Sequence, residues 1–136
     1  MKPLPERWLR QAESDLRAAS DSLGAAHYDW ACFQAQQAAE KALKALLYAE
    51  GRTAVLSHSV ADLIAHAGEY TNDLSRLKDE AKYLDTVYLA TRYPNALAGD
   101  RTPAEYYEKE EAQRCLSYAE SILTAVSRYF ETSTGS

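Results

Sequence analysis

Arg92 lies one helical turn beyond Tyr88 and directly beside Tyr93. A guanidinium among phenol rings can grip a phosphate through paired N–H groups while an aromatic face stacks a base. The same residues also fit a structural part, in which Arg92 pairs with a carboxylate such as Asp85 and Tyr93-Pro94 simply ends the helix. Lys41 and Lys44 share a helix face with Gln37, where they could track a phosphate chain or form an ordinary solvated stripe. His58 precedes a short helix whose free N–H groups could help it hold an anion; alternatively it packs at that bend. Glu40 stands among alanines and suits a bond to a neighbouring helix better than the work of a base. His27 and His66 read as surface residues, and neither His nor Cys falls at a metal-ligand spacing. The candidate ligand-binding set is therefore Lys41, Lys44, His58, Tyr88, Arg92 and Tyr93, with no catalytic residue and no metal.

These side chains depend on the stretch Trp30 to Leu47, WACFQAQQAAEKALKALL, which has no Gly or Pro and mostly strong helix formers. It predicts a helix over about Tyr28 to Ala49, stopped at Gly51. Cys32, Ala35, Ala39, Ala42, Leu43 and Leu46 fall on one side, with Trp30, Phe33 and Tyr48 roughly opposite beside Gln34, Gln37, Lys41 and Lys44. A first helix is expected from about Glu6 to Leu23, before Gly24. Ser59-Val-Ala-Asp62 has capping-box spacing and opens a short third helix that stops near Gly68. A fourth runs from about Asn72 through Leu74, Leu77, Ala81, Leu84 and Tyr88, and Pro94 should end it. Thr102, Pro103 and Glu105 then form a strong start for a last helix that reaches about Phe130. No segment alternates like a strand. The expectation is an all-α, up-and-down bundle of four long helices plus one short helix, in a single domain over 1–131 with a disordered tail at 132–136.

A chain of 136 residues suits one domain that buries about two-thirds of its unfolded surface. An apolar content of 46% excludes a generally disordered chain, and a net charge of −5 argues against broad nonspecific nucleic-acid binding while leaving room for a local basic groove. Cys32 and Cys115 sit in apolar helical patterns, as reduced core thiols of a cytoplasmic protein do. The start, MKPLPERWLRQ, lacks a signal core, and no apolar run approaches the ~18 residues of a membrane span. Ten tyrosines against two phenylalanines favour interfaces and clefts, where a phenol finds a partner for its hydroxyl.

The Tyr-x-Trp-Ala-Cys-Phe start at Tyr28 followed by QQAAEKALKALL, together with WLRQAESDLRAA (Trp8 to Ala19), His58-Ser59, Tyr88 and Thr91-Arg92-Tyr93-Pro94, closely resembles the HEPN family. Its name stands for higher eukaryotes and prokaryotes nucleotide-binding. The family's nuclease branch carries an Arg followed shortly by a His on a late helix. Arg52 and His58 match that pattern with five residues between them, but in the linker before the third helix; Arg92, at the expected place, has no His after it. The chain thus looks like the non-nuclease branch. The resemblance implies a homodimer that binds a nucleotide or an RNA end, needs no other cofactor, and acts beside a separately encoded minimal nucleotidyltransferase. Two alternatives stand: a ribonuclease toxin of a toxin–antitoxin pair with another residue in place of the His, or a pure protein-interaction module.

Overall fold

The computed structural model describes residues 2–134. Seven α-helices appear among them: α1 (Pro3–Gly24), α2 (Tyr28–Ala49), α3 (Val60–Ala67), α4 (Asn72–Ser75), α5 (Lys78–Arg92), α6 (Pro103–Tyr106) and α7 (Lys109–Thr134), with a 3-10 turn at Pro94–Ala96. The architecture is the expected all-α bundle. Its centre is α2, which packs most extensively on α1, next on α7, and also on α5 and α3. Ala31, Ala35, Ala38, Ala39, Ala42 and Ala45 are all fully buried, so small side chains around the whole helix let neighbours approach from several directions. Leu43, Leu46 and Leu47 fill the space between those approaches, and α7 contributes Ile122 and Val126.

Three element boundaries differ from the sequence expectation. The fourth helix is broken after Ser75, giving the single turn α4 and then α5. Thr71 caps α4 by accepting from the Asp73 N–H, and Leu74 is turned fully into the core. The α3–α4 corner is close: a Cβ on Gly68 would lie 2.9 Å from the Ile64 carbonyl oxygen and 3.1 Å from the Ser75 Cβ. The last helix is likewise split. Thr102 and Glu105 form the expected capping box, whose hydrogen bonds from Thr102 hold the Glu105 carboxyl below its usual range. Extended backbone at Tyr107 (φ −79°, ψ 132°) then carries that ring into the core before α7 begins. Finally, α7 continues to Thr134, so residues 132–134, expected in a disordered tail, are helical, with the Thr132 hydroxyl on the Arg128 and Tyr129 carbonyls. Residues 135–136 lie outside the described residues.

Cys32 and Cys115 are buried and unpaired as a disulfide, where α2 meets α7. The neighbouring Cys115 thiol and burial push Cys32 well above the usual thiol range, which makes it inert as a nucleophile.

The helix that positions the candidate site is α3, and its start is built from two elements. Ser59 Oγ accepts from the Asp62 N–H, as the capping-box spacing suggested. The second partner comes from α5: the Asp85 carboxylate accepts from Ser59 Oγ (2.8 Å), Val60 N (2.6 Å) and Ala61 N (3.0 Å). An anion at a helix N-terminus satisfies orphan N–H groups and opposes the positive end of the dipole. Asp85→Ala should therefore lower the unfolding free energy by about 1.5–3 kcal/mol, the range for hydrogen bonds to a charged group, with the urea dependence unchanged. A loss within about 0.5 kcal/mol of zero would show that the cap is dispensable.

Candidate functional site

Along α2, Gln36, Glu40 and Lys44 are the polar residues that the bundle buries. They form one connected seam. Glu40 Oε2 lies 3.1 Å from Lys44 Nζ and 3.1 Å from His58 Nδ1. Gln37 Nε2 reaches Glu40 Oε1 at 3.4 Å and Gln36 Oε1 at 2.7 Å. Gln36 in turn donates to the His58 carbonyl oxygen at 3.1 Å. His58 is thus held at its backbone and at one ring nitrogen, while its side chain stays 63% exposed.

The imidazole lies almost parallel to Tyr88, at 13° and 6.2 Å between ring centroids. Phe33 from α2 meets Tyr88 from the α2 side, and Trp30 meets Phe33 edge-on. Arg92 closes the group: its Nη1 donates to the Tyr88 hydroxyl at 2.6 Å. Its guanidinium carbon lies 5.1 Å from the Tyr88 ring centroid, 5.2 Å from Tyr93 and 5.8 Å from Phe33. Among the described residues no carboxylate is paired with Arg92. Of the structural alternative for Arg92, the pairing with Asp85 is corrected here, because Asp85 is taken up by the start of α3, while the helix does end before Tyr93-Pro94. Trp30, 57% exposed, and Tyr93 extend the aromatic surface of the group.

His58, Tyr88, Arg92 and Tyr93 therefore form one cluster, and the two lysines are not part of its surface. Lys44 is buried behind Glu40, with its ammonium 5.6 Å from the Trp8 ring, so the solvated-stripe reading of this residue is wrong. A charge that far inside α2 answers the neighbouring carboxylate rather than solvent. Lys41 turns toward α1, where Nζ meets Asp15 Oδ2 at 2.7 Å. It lines a separate open groove with Arg7, Trp8, Arg10 and Gln11. Arg52 and His58 do not converge either. Arg52 bonds Tyr70 and Glu69 at the far end of α3, away from the Tyr88 stack.

Sequence reasoning missed Phe33 and Gln36 as members of the site. Phe33 was legible only as part of an aromatic face, because nothing local shows that α5 will lie against it. A Glu and a Lys one turn apart within an alanine-rich run were the available signal for the buried seam.

Within the helical bundle, the site thus joins an exposed arginine seated among aromatic rings to a carboxylate-held imidazole. Among the described residues no group of three His, Cys, Asp or Glu could hold a metal ion, and no helix is long and apolar enough to cross a membrane. The family model described as "HEPN domain" matches residues 5–129, and the chain belongs to that family. The protein called "Putative toxin MJ1304" from Methanocaldococcus jannaschii is 30% identical over 135 residues, covering 94% of this chain and 89% of that one. Among solved structures, TT1696 from Thermus thermophilus is 43% identical with a TM-score of 0.85, over 92% of this chain and 97% of that one. ST0689, described as an archaeal HEPN homologue, is 36% identical with a TM-score of 0.74, over 93% of this chain and 97% of that one.

The two lysines should separate by experiment. Lys44→Met leaves the Glu40 carboxylate buried with one cation fewer and should cost about 3–5 kcal/mol of stability. Lys41→Ala, which breaks a half-buried pair at the α1 edge, should cost about 1 kcal/mol or less. Equal losses in chemical denaturation would contradict the seam described above.

Proposed function

We propose that the chain is a non-catalytic nucleotide- or RNA-end-binding domain that works as a homodimer beside a separately encoded minimal nucleotidyltransferase. One observation carries the ligand: Arg92 is exposed, held by the Tyr88 hydroxyl and by the rings of Tyr88, Tyr93 and Phe33, and neutralised by no carboxylate among the described residues. Aromatic faces orient a guanidinium without cancelling its charge, so its remaining N–H groups stay available to a phosphate. The exposed rings of Trp30 and Tyr93 offer both a base-stacking face and an apolar contact for a second copy. The homodimer and the nucleotidyltransferase partner rest on family membership, which assigns neither to this chain in particular.

The toxin reading has one observation in its favour, the relative named "Putative toxin MJ1304". Against a ribonuclease stands the sequence after Arg92, which holds no His to exchange protons with a 2′-hydroxyl.

Calorimetry with ATP and GTP tests the reading. Arg92→Ala should weaken binding roughly ten- to a hundredfold, the value of one charge-assisted contact of about 1.5–3 kcal/mol. Equal affinities, or no binding by either protein, would remove the nucleotide site. The same variant tests the toxin reading. Purified protein should leave RNA intact, and cleavage that Arg92→Ala abolishes would establish the toxin instead. Light scattering at high micromolar concentration should report a dimer; a monomer there would remove that part of the reading.

A further inference from the structure

We propose that Glu40 is a positioning residue for the ligand and that, through His58, it makes phosphate capture beside Arg92 depend on a proton. This rests on the phosphate-binding reading given above. The geometry starts with the buried carboxylate, which can only accept hydrogen bonds and so fixes His58 Nδ1, 3.1 Å away, as a donor. Gln36 holds the same residue by its carbonyl oxygen at 3.1 Å, so the ring is anchored at two points. Nε2 is left as the ring nitrogen free to meet a ligand, on a side chain 63% exposed.

The two protonation states of that ring behave oppositely toward an anion. With Nδ1–H given to Glu40, the neutral ring presents a lone pair at Nε2, which repels a phosphate oxygen. The imidazolium presents an N–H there and attracts it. Tyr88 is the residue the two groups share: His58 stacks on its ring at 6.2 Å, and its hydroxyl accepts from Arg92 at 2.6 Å. Lys44 already lies 3.1 Å from the same Glu40 oxygen, so a protonated His58 leaves two cations on one carboxylate. A bound phosphate supplies the missing negative charge.

The other charged groups around His58 have fixed tasks. Asp85 of α5 is engaged at the start of α3, and Arg92 of the same helix stays charged throughout. On α3, Asp62 and His66 lie 3.8 Å apart as an exposed pair. His66 is the other imidazole near this helix and serves as the control.

The probe is adenylyl-adenosine, a dinucleoside monophosphate whose phosphodiester keeps a single charge between about pH 5.5 and about pH 8.5, the window in which imidazoles change charge. Calorimetry in buffers of different ionisation heat should find wild type binding about tenfold more tightly at the acid end, with a proton taken up. His58→Asn should bind at the weaker level at every pH, and His66→Asn should follow wild type. Glu40→Gln keeps an acceptor for Lys44 and should flatten the profile, while imidazole nitrogen NMR shows His58 losing its fixed Nδ1–H form. A flat wild-type profile, a His58→Asn variant with the wild-type profile, or a Glu40→Gln variant indistinguishable from wild type would each overturn the proposal. If Arg92→Ala weakens binding at every pH while His58→Asn is silent, the proton linkage alone falls. If Arg92→Ala binds like wild type, or nothing binds, the phosphate-binding reading falls with it.

Discussion

A carboxylate buried in the middle of the central helix sets the terms for most of what surrounds it. Removing Glu40 from water carries a penalty of several kcal/mol, which is tolerable only if cations and donors meet it inside the bundle. Lys44 answers from the next turn of α2, Gln37 from the previous one, and His58 from the linker. The last of these has the widest structural reach. Because His58 is drawn onto α2, α3 must begin at that point, and its exposed N–H groups are met by Asp85. Asp85 fixes the register of α5, and three residues later Tyr88 stacks back on His58. The path from Glu40 to Arg92 is thus continuous contact through four parts of the chain, and its inner links satisfy polar groups that the bundle would otherwise strand.

The sequence revealed the bundle well because its signals are local. Periodicity placed α1, α2 and α3, Pro94 ended α5 at Arg92, and Thr102 with Glu105 built the expected box. The breaks at Ser75 and Tyr107 were not legible. Each arises where a side chain is carried into a core made by distant helices, Leu74 in one case and Tyr107 in the other. No window of neighbouring residues contains that information. The candidate site divides the same way. His58, Tyr88, Arg92 and Tyr93 were found from residue type and spacing, and the fold brings them together. Lys41 and Lys44 were placed on one face of an ideal helix, but α1 claims the first and Glu40 the second. A helical wheel shows which residues share a face, not which neighbour covers it.

The chemistry of Arg92 follows from what is absent as well as what is present. A carboxylate partner would hold the guanidinium firmly but would also compete with any phosphate for the same N–H fork. Aromatic partners hold it differently. Rings at 5.1 to 5.8 Å attract the cation through their faces, worth roughly 0.5–1 kcal/mol each at an exposed site, and leave its edges open. The Tyr88 hydroxyl uses one donor of five and restricts rotation of the head group. That combination is pre-organised but not neutralised, which is the condition under which an incoming anion loses least.

The same separation explains how an acidic chain can carry such a site. A net charge of −5 repels a long polyanion at distances where individual charges blur together. Within a few ångströms the local group decides the sign, because salt screens exposed charges more than a Debye length away. Beside Tyr88, Glu40 is met by Lys44 and His58, and Asp85 by the start of α3. The surface they leave is aromatic and cationic. On the reading proposed above, a short ligand with one or a few phosphates is preferred to a long nucleic acid, because it can meet Arg92 without laying further phosphates against the acidic remainder of the chain.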